Sequence, residues 1–130
     1  MITLVDTQAA AWFLIPDERL SRTARAHIRS ASQLLVSAAS IWEANIKRAK
    51  HGDRRIGSLA RWLDEIRRSG LPEPFAILAI ETDDCFAVRD LPAAHGDPFD
   101  RMIAAQAMRR DLTVVSADPV FDAYGCERVW

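Results

Sequence analysis

Ile2-Thr3-Leu4-Val5-Asp6-Thr7 is a β-prone apolar run closed by a carboxylate, and the segment after it, Thr7 to Leu14, has helical composition until Ile15-Pro16 stops it. Strand, acid, helix is the repeating unit of an open parallel α/β sheet, whose ligand crevice lies at the strand ends. The unit recurs down the chain. Leu34 to Val36 reads as a second buried strand, and the helix expected over Ala38 to Lys50 carries Glu43 in its first turn or two. Phe75 to Ile80 is the third strand candidate and Leu112 to Val115 the fourth, with Ser116-Ala117-Asp118-Pro119 turning out of it and Glu127 to Trp130 as a terminal edge strand. Amphipathic helices are expected over Leu20–Ala31 and Ser58–Arg68, and further helices over Glu81–Asp90 and Arg101–Arg110. Trp12, Trp42 and Trp62 fall in helical stripes and read as core, with Ile41, Trp42 and Ile46 facing inward. The predicted fold is α/β: three layers, a central parallel sheet of four or five short strands, and flanking helices joined by right-handed crossovers.

With 130 residues, 49% hydrophobic and 27% charged, the chain is expected to form a single domain over residues 1–130, and no repeat or linker interrupts it. A formal charge of −1 means that any nucleic-acid contact must come from a local basic patch. The best candidate is Lys47, Arg48 and Lys50 with Arg54 and Arg55, a group that also reads as a basic helix C-terminus complementing the dipole. Cys85 and Cys126 lack CxxC spacing and read as reduced thiols, a cytoplasmic pattern. No basic leader is visible, and the longest apolar stretch, Ala9 to Ile15, is far short of a membrane span. His27, His51 and His95 show no paired-ligand spacing, so a structural zinc site is not expected, although His95 adjoins an acidic loop. GxGxxG, P-loop and Ser or Cys nucleophile motifs are absent.

Each acid at a strand end has a local explanation. Asp97-Pro98-Phe99-Asp100 is a helix start, with Asp97 as N-cap, proline at the first helical position and Asp100 where a capping box places an acid. Residues 97, 100, 104 and 107 share a helix face, and Ala104 and Ala107 are small enough to leave room beside the two carboxylates. Ser40-Ile41-Trp42-Glu43 fits a capping box, Asp118-Pro119 an N-cap for a short helix through Tyr124, and Asp6 a cap for the helix after strand one. Joint placement argues for more than capping. Asp6, Glu43, Asp100 and Asp118 are all expected on one edge of one sheet, where their repulsion is costly without a cation.

These residues resemble the PIN-domain ribonucleases, and within them the VapC-type toxins of bacterial toxin–antitoxin pairs. The matching pieces are Leu4-Val5-Asp6-Thr7, Val36 through Glu43, Leu91-Pro92 through Asp97-Pro98-Phe99-Asp100-Arg101 and on to Ala107, and Val114-Val115-Ser116-Ala117-Asp118, spanning nearly the whole chain. The resemblance implies a PIN-like domain in which Asp6, Glu43, Asp100 and Asp118 bind one or two Mg²⁺ or Mn²⁺ ions. Asp97 is a further ligand candidate, and the choice between Asp97 and Asp100 stays open. It implies a metal-dependent endoribonuclease: Asp6 and Asp100 on the main ion, Glu43 positioning or deprotonating the attacking water, Asp118 at the second site, and Ser116 contacting the scissile phosphate. A small antitoxin covering the crevice and a homodimer held by the early helices are also implied. Gln8 stands where histidine is expected, and Ser116 where threonine is commoner. The rival readings are a catalytically inactive PIN-fold module that docks RNA or protein, and a phosphotransfer receiver. The receiver pattern needs paired acids after strand one and a lysine after the last strand; here Asp6 stands alone and both lysines lie mid-chain.

Overall fold

Five short runs, β1 (Ile2–Val5), β2 (Gln33–Ser37), β3 (Phe75–Leu78), β4 (Thr113–Val115) and β5 (Arg128–Val129), pair as one sheet in the order β3-β2-β1-β4-β5. The computed structural model describes residues 1–93 and 96–130. Every pairing is parallel, with Leu4 in register with Leu35 on one side and Val114 on the other. Side chains alternate across the sheet as the strand period requires. Val5, Leu34, Val36 and Val115 join one core cluster, whereas Leu4 and Val114 join a second. The three-layer α/β expectation therefore holds, with five strands.

Helices cover both faces. α1 (Thr7–Leu14), α2 (Arg22–Ser30), α3 (Ala38–His51) and α5 (Ser58–Ser69) contribute to the first cluster, built around Ala9, Ile28, Ala44, Leu59 and the fully buried Trp62. α7 (Pro98–Arg109) and α8 (Val120–Tyr124) form the second with Ile103, Ala104, Ala107, Phe121 and Tyr124. A short α4 (Asp53–Ile56) and α6 (Thr82–Ala87), which runs into a 3₁₀ turn over Val88–Asp90, complete the described elements. Capping sets the helix starts: Ser21 accepts from the Ala24 N–H before α2, and Ser37 from the Ala39 N–H before α3. Gly52, at φ +81°, ends α3 in a backbone region that L side chains rarely adopt.

Several local expectations are corrected. α3 is capped by Ser37, not Ser40, whose hydroxyl is buried inside the helix with no hydrogen-bond partner among the described residues. The capping-box explanation of Glu43 falls with it. Trp42 does not face inward: it is 60% exposed and packs edge-to-face on Phe99 at 4.9 Å, and Ile46 is also exposed. The buried face of α3 is made instead by Ala39, Ser40, Glu43 and Ala44. β3 stops at Leu78, because the Gln106 side chain takes the Ala79 carbonyl at 3.2 Å and closes the ladder. No helix of the described residues is long and apolar enough to cross a membrane, and Cys85 and Cys126 are both free thiols.

Candidate active site

The strand order runs outward from β1 in both directions, so the gap beside β1 and β4 is the switch point at which an open α/β sheet forms its crevice. Asp6 leaves the end of β1, and Ser116 to Asp118 leave the end of β4. Glu43 arrives from the second turn of α3, and Asp97 and Asp100 from the start of α7. A crevice of about 300 Å³ is lined by Asp6, Thr7, Gln8, Trp12, Glu43, Lys47, Asp97, Asp100, Ala117 and Asp118. The structure thus brings all five predicted acids together.

Four of the five acids, Asp6, Glu43, Asp97 and Asp118, are held by local partners. Asp6 accepts from the Ala9 N–H at 2.8 Å and from Ser116. Glu43 is nearly buried; its Oε1 accepts from the Thr7 hydroxyl at 2.7 Å, and its Oε2 lies 2.8 Å from Lys47 Nζ. Asp97 accepts from the Phe99 and Asp100 N–H groups and so caps α7, and Asp118 accepts from the N–H of Val120, the first residue of α8, at 2.9 Å. Among the described residues, no group of three or more His, Cys, Asp or Glu side chains is arranged to hold a metal ion as it stands. The site is an acid-lined crevice in which Asp6, Glu43, Asp97 and Asp118 are still engaged with their own neighbours.

Electrostatics mark the strain of collecting them. Burial pushes the Asp6 carboxyl up to about 6, against the lowering effect of Ser116 and the Ala9 N–H, with Glu43 and Asp118 adding repulsion. Asp100 is pushed up to about 7 by burial and then by the charges of Asp97, Glu43, Asp6 and Asp118. At Lys47 burial disfavours the ammonium, but the bond to Glu43 and the fields of Asp97 and Asp100 outweigh it and hold its pKa above the ordinary value.

Other predicted residues fall elsewhere. Ser116, expected as a phosphate contact, is 0% exposed, and its hydroxyl is engaged by Asp6 and by the Asp118 N–H at 3.0 Å. Ala104 and Ala107 leave no notch beside the acids; both are buried against the sheet, where small side chains let α7 approach closely. Of the basic group, Lys47 enters the crevice, and Arg48 is bound to Asp53 and Asp64 at 2.8 Å each. Lys50, Arg54 and Arg55 are exposed and make no ion pair among the described residues. His95 lies outside the described residues. Sequence reasoning missed Thr7 and the pairing of Lys47 with Glu43. The signals were a hydroxyl adjoining the first acid and an acid–lysine spacing of i,i+4.

A parallel α/β domain with carboxylates gathered at its switch point defines an acidic-crevice fold. The chain matches the PIN domain over residues 3–125 and belongs to that family. It is 28% identical over 119 residues to ribonuclease VapC22 of Mycobacterium tuberculosis, covering 88% of this chain and 85% of the relative. Among solved structures, FitAcB from Neisseria gonorrhoeae superposes with a TM-score of 0.68 at 24% identity, over 98% of this chain and 96% of that one. A toxin–antitoxin complex from Klebsiella pneumoniae superposes at 0.61 and 17% identity, over 98% and 96% of the two chains. These structural likenesses establish the fold.

Proposed function

We propose that this protein is a metal-dependent endoribonuclease toxin that hydrolyses RNA phosphodiester bonds and is neutralised by a small cognate antitoxin. The observation that carries the reading is the convergence of Asp6, Glu43, Asp97, Asp100 and Asp118 on one crevice in a PIN-family sheet. The relation to ribonuclease VapC22 supports RNA as the substrate class, and the fold shared with a toxin–antitoxin complex supports the partner.

The donor set fits a hard divalent cation: all five acids offer carboxylate oxygen, which suits Mg²⁺ or Mn²⁺ rather than zinc. A cation also offsets the burial and repulsion that raise Asp6 and Asp100. Asp6 and Asp100 are the principal ligands, with Asp97, Glu43 and Asp118 completing a site for one or two ions. When bound, the metal supplies a water nucleophilic at neutral pH and stabilises the leaving oxygen. Thr7 holds the Glu43 carboxylate, which orients the attacking water and accepts its proton. Ser116 orients Asp6. Lys50, Arg54 and Arg55 track the RNA backbone, with Arg48 committed to its own acids. The antitoxin covers the crevice with a segment that places a basic residue among the carboxylates, and the active assembly is a cytoplasmic homodimer held by the early helices.

The test is cleavage of total cellular RNA by partner-free protein with Mg²⁺ or Mn²⁺, with chelator, and by Asp6→Asn. Discrete products that require the metal and vanish in the folded variant are expected. No cleavage by folded, metal-supplied protein would instead favour a non-catalytic PIN-fold binding module.

A further inference from the structure

Among the described residues Lys47 is the only basic side chain lining the crevice, where it pairs with Glu43 and lies in the field of Asp97 and Asp100. Its ammonium closes on Glu43 Oε2 at 2.8 Å while Thr7 holds Oε1 at 2.7 Å, so both oxygens of that carboxylate are occupied. On an open helix surface an i,i+4 pair of this kind contributes little. Here the acid is buried and the lysine half-exposed, and among the described residues no second basic group lines the crevice beside the four further carboxylates.

We propose that Lys47 is the built-in counter-ion of the crevice: it occupies Glu43 in the unloaded protein, releases that carboxylate when a divalent cation enters, and so sets the affinity for the metal. The inference rests on the metal-site reading above. Lys47 is in this sense a positioning residue. A fixed unit charge beside a divalent ion raises the cost of loading it, and a neutral residue in its place removes that cost.

Calorimetric titration of Mn²⁺ into chelator-stripped wild type, Lys47→Gln, Lys47→Arg and Arg67→Gln tests the proposal. Arg67, exposed on α5 and not part of the crevice, controls for overall charge. Lys47→Gln is expected to bind Mn²⁺ about tenfold more tightly, with Lys47→Arg and Arg67→Gln near wild type. Thermal unfolding gives a second readout independent of turnover. In chelator Lys47→Gln should melt below wild type, because Glu43 has lost its partner, and in saturating Mn²⁺ the gap should close or reverse. Lys47→Met, which keeps the apolar stem, repeats the titration if the glutamine variant folds poorly. Equal or weaker Mn²⁺ binding by the folded neutral variants overturns the counter-ion role. If that binding is still lost in Asp6→Asn, the metal site itself stands. If neither wild type nor the variants bind Mn²⁺, the metal-site reading falls and this inference with it.

Discussion

Asp100 carries the conflict of the crevice most openly. Its carboxyl is pushed up to about 7 by burial and then by four neighbouring acids. A carboxyl raised in the folded state from 3.8 destabilises that state progressively above pH 4, and the penalty is complete above pH 7. Asp100→Asn is therefore expected to abolish RNA cleavage and yet stabilise the metal-free protein by about 1 kcal/mol, allowing for partial solvent exposure. Urea unfolding in chelator at pH 8, beside a cleavage assay, checks both; a variant destabilised there would mark Asp100 as a structural cap. Thr7→Val keeps the side-chain shape but removes the hydroxyl from Glu43, and should cost about 1–2 kcal/mol while slowing cleavage. Unchanged unfolding and cleavage in that variant would deny Thr7 any hold on Glu43. The acids were legible as residues because Asp6 and Asp118 follow readable strands, while Glu43, Asp97 and Asp100 fall in the opening turns of readable helices. Their partners were less so, since a hydroxyl beside an acid and a lysine one turn on also fit ordinary helix chemistry.

At the scale of elements, α6 is tied to α7 by a clamp unrelated to the crevice. Asp84, 0% exposed, accepts from Arg109 at 2.6 Å, from Arg110 at 2.7 Å and from the Glu81 N–H at 2.8 Å. Burial would raise its pKa, but the bonds from Arg110, the Glu81 N–H and Arg109 outweigh it and hold the carboxyl at about 2. A depressed acid contributes stability above its ordinary pKa and loses it as pH falls towards the folded value, here from about 4 down to 2. Asp84→Asn should thus cost roughly 2 kcal/mol at pH 6, with the gap to wild type closing towards pH 2 in denaturant titrations. A gap independent of pH would assign the loss to packing instead. Elements were also where sequence reading went astray. Ser40 fits a capping box as well as Ser37 fits a cap, and only the end of β2 decides which residue begins α3. Trp42 sits on an apolar stripe, but the sheet beneath α3 leaves room for alanine and serine, so the indole turns outward onto Phe99.

For the whole molecule, alternation of strand and helix dictated a parallel sheet, and a parallel sheet places its crevice where the strand order reverses. Acids from distant segments met there because every strand runs in the same direction. The strand order itself was not legible, as short apolar runs say little about which neighbour they pair with. A ligand that binds only the folded state stabilises it by mass action, by about 2.7 kcal/mol at one hundred times its dissociation constant. Mn²⁺ should accordingly raise the melting temperature of this chain by several degrees, chelator should reverse the rise, and Asp6→Asn should abolish it. Asp84 does not line the crevice, and its partners sit at the start of α6 and the far end of α7 from Asp97 and Asp100. Effects at separate sites with no shared partners add, so Asp84→Asn should start lower than wild type and still gain the full Mn²⁺ shift. A reduced shift in Asp84→Asn, measured by calorimetry at fixed protein concentration, would show that the α6–α7 clamp and the crevice are coupled through α7.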